Sequence, residues 1–320
     1  VSGEISHWAD DSRKPSVMSQ SLLFIGECMM ELRKGSADKL EYSFAGDAYN
    51  SAVYAKRWCA EHQVSFFSAR GKDQFSEMMQ LRWQSEGIDS ALVKVSEHRV
   101  SGIYAIATDS DGERQFSYWR DNSAATEMMT LLERSGQGDE FPDFDCVFFS
   151  GISLGILSDD CKQRLLDLLS RLRKRGAKIA FDPNYRESLW RDQDHARHWI
   201  LRAYQCCDIA FPGLEEHQIL FAHNSLDEVH QCLVGQGVDE CVIKAGEEGV
   251  FVFANGVACG HEPFQSAPKQ VDSTAAGDSF SGTYLAARLG GSTLSRAIEM
   301  GAKVARIVVQ HEGAIVNIDA

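Results

Sequence analysis

Near its C-terminal end the chain carries Asp272-Ser-Thr-Ala-Ala-Gly-Asp-Ser-Phe280, small residues and two carboxylates set directly ahead of apolar positions at helical spacing, Phe280, Tyr284, Leu285 and Leu289. A helix that starts on small residues leaves its first backbone donors open. The amides of Ala275, Ala276, Gly277 and Asp278 would lie along the positive helix end, with Ser273 or Thr274 as the cap, an arrangement that can hold a phosphate group. A packed helix start would account for the small residues but not for Asp278. A carboxylate beside an anion site weakens phosphate binding unless it has chemistry to perform, and accepting the proton of a hydroxyl that attacks a phosphoryl group is such chemistry. Asp278 is therefore the expected catalytic base.

Competing nucleotide motifs are missing. Nothing matches G-x-x-x-x-G-K-[ST], and Ile25-Gly-Glu-Cys-Met-Met is not G-x-G-x-x-G, so a P-loop kinase and a dinucleotide oxidoreductase lose support. Glycines recur in Lys244-Ala-Gly-Glu-Glu-Gly-Val250, where a strand turns back into Val250-Phe-Val-Phe253; alone, this reads as an ordinary hairpin. His195 with His198, and His217 with His223, come nearest to ligand spacing, but no Cys or acidic partner completes a set, so a structural zinc site is not expected. The 9 cysteines include no C-x-x-C pair and fall mostly in strand-like or helix-like segments, which fits buried reduced thiols.

Positioning such a site requires a rigid frame. Short apolar runs at 21–26, 64–69, 146–150, 177–181, 207–211 and 240–244 have the character of strands buried on both faces of a parallel sheet. Between them, residues 48–61, 75–86, 159–174, 226–234 and 276–289 show helical period. The alternation breaks at 102–109 and 114–120, which flank Ser110-Asp111-Gly112, a turn suited to a hairpin. With 29–44 as further strand material, these segments predict a small antiparallel sheet set apart from the main one, a lid or an interface. The expected class is α/β, with lid strands within about 28–44 and 98–121.

At 320 residues the chain can bury a large core without disulfide or metal staples. Its 46 acidic and 32 basic side chains leave a net charge of −14, which repels nucleic acid and anionic lipid. The densest basic run, 171–178, sits where a helix end favours cations. No apolar run approaches the roughly 18 residues of a membrane helix, and the first residues are polar rather than signal-like. A cytoplasmic protein without a nucleic-acid or membrane partner is expected, with residues 1–17 as a flexible extension and 18–320 as one domain.

The segment 272–278 resembles the D-T-x-G-A-G-D motif of the ribokinase-type (PfkB) sugar kinases, with Ser273 and Ala275 as substitutions. Ala45-Gly-Asp-Ala-Tyr-Asn50 is similar to that family's N-terminal G-G-x-x-x-N, and Arg70-Gly-Lys-Asp-Gln-Phe75 to its G-x-D-x-F stretch. Order and spacing agree from Leu22 to Ala314. Within the family, Ile25-Gly-Glu-Cys-Met, Gly112-Glu-Arg, Tyr118-Trp-Arg120, Ser150-Gly-Ile-Ser-Leu154 and Phe181-Asp-Pro-Asn-Tyr-Arg186 resemble strings of the 2-keto-3-deoxygluconate kinases.

The resemblance implies a three-layer α/β/α ribokinase-like fold with a mostly parallel central sheet and a β-sheet lid. It also implies transfer of the ATP γ-phosphate to the 6-hydroxyl of 2-dehydro-3-deoxy-D-gluconate with Mg²⁺, leaving a monovalent cation such as K⁺ open. Gly46, Asp47, Asn50, Tyr104, Tyr118, Arg120, Arg186 and Asp278 would line the sugar pocket. Asn184, Arg186, Lys244, Gly246, Gly249, Ala275, Ala276 and Gly277 would face the nucleotide, and Glu216 would contact a metal through water. The sugar acid's carboxylate suits arginine: Tyr118 and Arg120 share a strand face, and Tyr104 could meet them across the hairpin. Two departures stand out. Gly213 replaces a family Asn, and Ala275 replaces a glycine, which is expected to need no positive φ there. A fructokinase or ribokinase, or a silent sugar- and nucleotide-binding regulator, are the alternatives, and a homo-oligomer joined through the lid is expected.

Overall fold

The first strand, Ser21–Ile25, is apolar at every position after its serine, so neither of its faces can meet water. Leu22 and Phe24 join one apolar cluster with Phe66, Phe148 and Val242. Leu23 and Ile25 join another with Phe149, Ile179 and Ile243. A sheet with a core on each side must be covered by helices on both, which gives three layers. In this computed structural model, which describes residues 19–35, 39–108, 114–138 and 140–318, that is the arrangement found. The expectations for residues 1–17 and for the turn at 110–112 lie outside the described residues.

The main sheet has 9 strands in the spatial order Val257–Glu262, Val250–Ala254, Glu240–Lys244, Ile209–Ala210, Lys178–Asp182, Cys146–Ser150, Ser21–Ile25, Gln63–Phe67, Ile88–Asp89. All neighbours are parallel except the last two strands of the chain, which fold back as antiparallel hairpins. Helices Asp47–Trp58, Ala276–Leu289 and Leu294–Val308 cover one face, contributing Tyr49, Tyr284 and Ile298 to its core. Asp159–Lys174 and Gln193–Cys206 cover the other, through Leu165 and Ile200.

The second sheet holds Leu40–Ala45, Met29–Lys34, Ile103–Thr108 and Arg114–Trp119, in that order. It corrects one expectation: the sheet is mixed, because Met29–Lys34 and Ile103–Thr108 run parallel, with Met30 opposite Ile103. Between them the chain detours through the main sheet, and a crossover that long permits parallel pairing. All nine cysteines are unpaired, and only Cys259 is exposed. Among the described residues no helix is long and apolar enough to cross a membrane.

Candidate active site

Ser21–Ile25 pairs with Cys146–Ser150 on one side and Gln63–Phe67 on the other, so the winding of the sheet reverses at this strand. Loops leaving the carboxyl ends of neighbouring strands part at such a point and leave a crevice, the usual ligand position in open α/β sheets. Residues 46–50, 182–186 and 275–278 converge there.

The helix Ala276–Leu289 starts from a loop braced by Asp272, whose carboxylate accepts from Thr274 N and from Gly313 N, each at 2.8 Å. Two expectations are corrected here. Neither Ser273 nor Thr274 caps the helix; the cap position is Ala275, and it has no capping side chain. Ala275 also adopts φ 60°, ψ 14°, the left-handed conformation that a glycine would take without strain. The physical reason is the reversal of direction at 272–275: the Ser273 carbonyl accepts from Ala276 N at 3.2 Å, which closes a tight turn just before the helix. The amides of Ala275, Gly277 and Asp278 have no acceptor among the described residues, so three of the four expected anion donors are open.

Asp278 extends from the first turn. Asn50 Nδ2 donates to its Oδ2 at 2.8 Å, and Asn50 is itself fixed by accepting from Gly46 N at 3.3 Å. This contact depends on a close approach of two helices: a Cβ on Gly282 would lie 2.1 Å from the Ser51 carbonyl oxygen, so only glycine lets Asp47–Trp58 and Ala276–Leu289 pack this closely. Burial, followed by the nearby charge of Asp47, pushes the Asp278 carboxyl up to about 7, against the pull of the Asn50 hydrogen bond.

A second layer surrounds this acid. Asp47 accepts from Asn184 Nδ2 at 3.1 Å, and Asn184 takes φ 35°, a conformation asparagine tolerates. Asp182, buried at the last position of its strand, accepts from Lys244 Nζ at 2.8 and 2.9 Å and from Ser281 Oγ at 3.2 Å. Lys244, expected near adenosine, is thus tied to Asp182. Glu216 engages both carboxylate oxygens with backbone amides, those of Tyr185 and Gly213 at 2.9 Å each, so it braces two loops. Gly246 and Gly249 form the hairpin turn at φ 56° and 95°, and a Cβ on Gly249 would lie 2.1 Å from the Glu262 carbonyl, a structural demand for glycine.

On the lid, Tyr104 and Tyr118 are direct cross-strand partners with rings stacked at 5.8 Å, as the spacing suggested. Tyr104 donates to the buried Glu31. Arg120 is neither solvated nor free: it is buried and ion-paired with Glu27 at 2.6 Å, while Ser123 Oγ donates to the other Glu27 oxygen. Its Nε has no acceptor among the described residues. Arg186 is exposed beside the crevice, and its guanidinium makes no ion pair among the described residues.

The sequence reading did not single out Asp182 or Glu27. Each is an acid at or just past the end of a buried strand, where a buried charge must find a partner, and that was the available signal. By sequence spacing, no cysteine completes the His217–His223 pair. The structure overturns this, because Cys232 lies beside them.

An acid whose carboxyl is pushed up to about 7, open helix-start amides and a small second sheet meet at a strand-end crevice. The chain belongs to the pfkB family of carbohydrate kinases, whose model matches residues 19–320. It is 38% identical over 306 residues to the 2-dehydro-3-deoxygluconokinase of Dickeya dadantii, covering 94% of this chain and 98% of that one. It is also 38% identical over 307 residues to the enzyme of that name from Escherichia coli K12, covering 95% and 99%. Among solved structures, the aminoimidazole riboside kinase of Salmonella enterica superposes with TM-score 0.76 at 21% identity over 92% of this chain and 94% of that one. A double mutant of the fructokinase of Vibrio cholerae O395, in its fructose-, ADP- and potassium-bound form, gives 0.78 at 20% over 92% and 94%. These superpositions establish the ribokinase-like fold, and the protein is a carbohydrate kinase.

Proposed function

We propose that the enzyme transfers the γ-phosphoryl group of ATP to the 6-hydroxyl of 2-dehydro-3-deoxy-D-gluconate. The observation that carries this reading is Asp278, held by Asn50 next to open amides with its carboxyl pushed up to about 7. A base in that range combines a useful ionised fraction with a real affinity for the proton it must take. The hydroxyl proton moves to Asp278, the sugar oxygen bonds to the γ-phosphorus, and the bond to the bridging oxygen of ADP breaks. The amides of Ala275, Gly277 and Asp278 receive the negative charge on the moving group.

The acid substrate is supported by the names of the 38%-identical relatives and by Arg186, whose exposed guanidinium beside Asp278 makes no ion pair among the described residues and can take a carboxylate, whereas Arg120 is buried against Glu27. Mg²⁺ fits the donor set: Asp47 presents hard oxygen at the crevice, while Glu216 has both oxygens engaged. When bound, the ion neutralises phosphate charge. Self-association through the lid is supported by exposed apolar side chains on its edge strands, Leu40 at 69% and Trp119 at 61% exposure. Nine unpaired thiols suit a reducing cytoplasm.

ADP release measured with this sugar acid, ribose and fructose tests the proposal, with K⁺ exchanged for Na⁺ in parallel. Turnover should be confined largely to the acid. Comparable rates on the neutral sugars would replace it with a fructokinase or ribokinase reading, and no phosphorylated product from any sugar would leave a binding regulator.

A further inference from the structure

Away from the crevice, the helices Leu214–Phe221 and Leu226–Gly235 and their connection bring His217, His223 and Cys232 together, with one nitrogen or sulfur atom from each lying within 4.8 Å of the others. His217 Nδ1 and His223 Nδ1 are 3.1 Å apart. In a tetrahedral zinc site, bond lengths near 2.0–2.1 Å to nitrogen and 2.3 Å to sulfur place two nitrogens about 3.3 Å apart and a nitrogen and sulfur about 3.6 Å apart. The two nitrogens are already close to that separation, and Cys232 Sγ lies within 4.8 Å of the histidine donors. A metal on Nδ1 requires the imidazole proton on Nε2, and Tyr204 Oη lies 2.8 Å from His217 Nε2, placed to accept it and fix that tautomer. His217 is buried, while His223 and Cys232 are half-buried, so an ion has a route in and a face open to a fourth ligand.

We infer that His217, His223 and Cys232 form a binding site for a borderline-soft divalent cation of the Zn²⁺ class, closed by one water. The donor set, two neutral imidazoles and one thiolate, excludes Mg²⁺ as its ion. Binding joins the metal to Cys232 Sγ and releases the thiol proton to solvent. The ion pins the two helices together. The first of them also carries Glu216, whose carboxylate holds the Tyr185 and Gly213 amides, so the site stiffens the scaffold behind the nucleotide-side loops without entering the reaction.

The test is titration of metal-free full-length protein with Co²⁺ and then Zn²⁺. One equivalent of Co²⁺ should produce a thiolate-to-cobalt charge-transfer band that Zn²⁺ abolishes and Mg²⁺ leaves untouched. Cys232→Ser and His223→Ala should remove the band, and Cys259→Ser, at the exposed thiol, should keep it. Tyr204→Phe should weaken Zn²⁺ binding about 10–100-fold, the usual effect of losing an outer-shell partner. No band at one equivalent, a band that persists in both Cys232→Ser and His223→Ala, or one lost with Cys259 would overturn the assignment. Should Cys232→Ser fail to fold by circular dichroism, His223→Ala decides alone.

Discussion

Asp278 sits where two influences oppose each other: a helix start and an amide donor favour its charge, while burial and the carboxylate of Asp47 disfavour it, and the latter prevail. Asp278→Asn should keep ATP binding while lowering turnover by a factor on the order of 10²–10⁴, as loss of a general base does. For the intact enzyme, kcat/KM should rise with pH through an inflection near 7, where the acid ionises. Asn50→Ala removes a donor that favours the ionised form, so its pH profile should shift upward. Stability carries the same signature. The folded carboxyl titrates at about 7 against an ordinary 3.8, so the fold's advantage is complete below 3.8 and is lost as pH rises to about 7. The melting-temperature gain of Asp278→Asn over the parent should therefore widen between pH 4 and pH 8. Ala275, at φ 60°, makes a separate case. Relief of left-handed strain of about 1–2 kcal/mol is offset by a lost buried methyl of about 0.8 and glycine's extra unfolded entropy of about 0.4–1, so Ala275→Gly should be near neutral. Ala275→Val, β-branched, should destabilise clearly in urea titrations.

At the scale of elements, the site exists because Asp47–Trp58 and Ala276–Leu289 touch through Gly282. Gly282→Ala, whose methyl would meet the Ser51 carbonyl, should cost about 1–3 kcal/mol and lower kcat by displacing Asn50 from Asp278. Rescue of stability by added salt or osmolyte without recovery of kcat would show that spacing is what matters. The helices Asp159–Lys174 and Ala276–Leu289, the second in spite of Gly282 within it, were legible residue for residue. Leu294–Val308 was not, although Ala297, Ile298, Val304 and Val308 share a buried face. Gly301 interrupts that face because the Phe280 ring lies where a side chain would go, a Cβ there being 2.8 Å from Phe280 Cδ2. The period of that helix is nonetheless regular, since Ala297, Gly301, Val304 and Val308 follow one another at helical spacing. The parallel pairing in the lid also escaped. Met30 and Ile103 meet only after the chain has traversed part of the main sheet, and no local pattern encodes that encounter. In the active site, motif residues were readable, whereas partnerships such as Asp182 with Lys244 depend on strand order.

Over the whole molecule, Glu27 and Arg120 join body to lid through a buried ion pair. Arg120→Ala strands a carboxylate whose pKa burial already raises, and should cost about 3–5 kcal/mol, with much of that recovered by adding Glu27→Gln. Arg186, exposed, should behave differently: Arg186→Ala should leave urea stability within about 0.5 kcal/mol while reducing use of the acid sugar more than ATP affinity. If the lid is also the subunit contact, Trp119→Glu should shift the sedimentation profile toward the monomer. The Asn50–Asp278 hydrogen bond links residues 228 positions apart, and Tyr54 Oη donates to the Ala314 carbonyl across 260. During translation Asn50 therefore waits 228 residues for Asp278, and the helix Asp47–Trp58 waits as long for its lasting neighbour. A nascent polypeptide halted before residue 270 holds every strand of the central sheet but lacks Asp278 and the helix that carries it. Such long-range closure predicts slow maturation, and a dependence on chaperones that shorter-range folds of the same size escape.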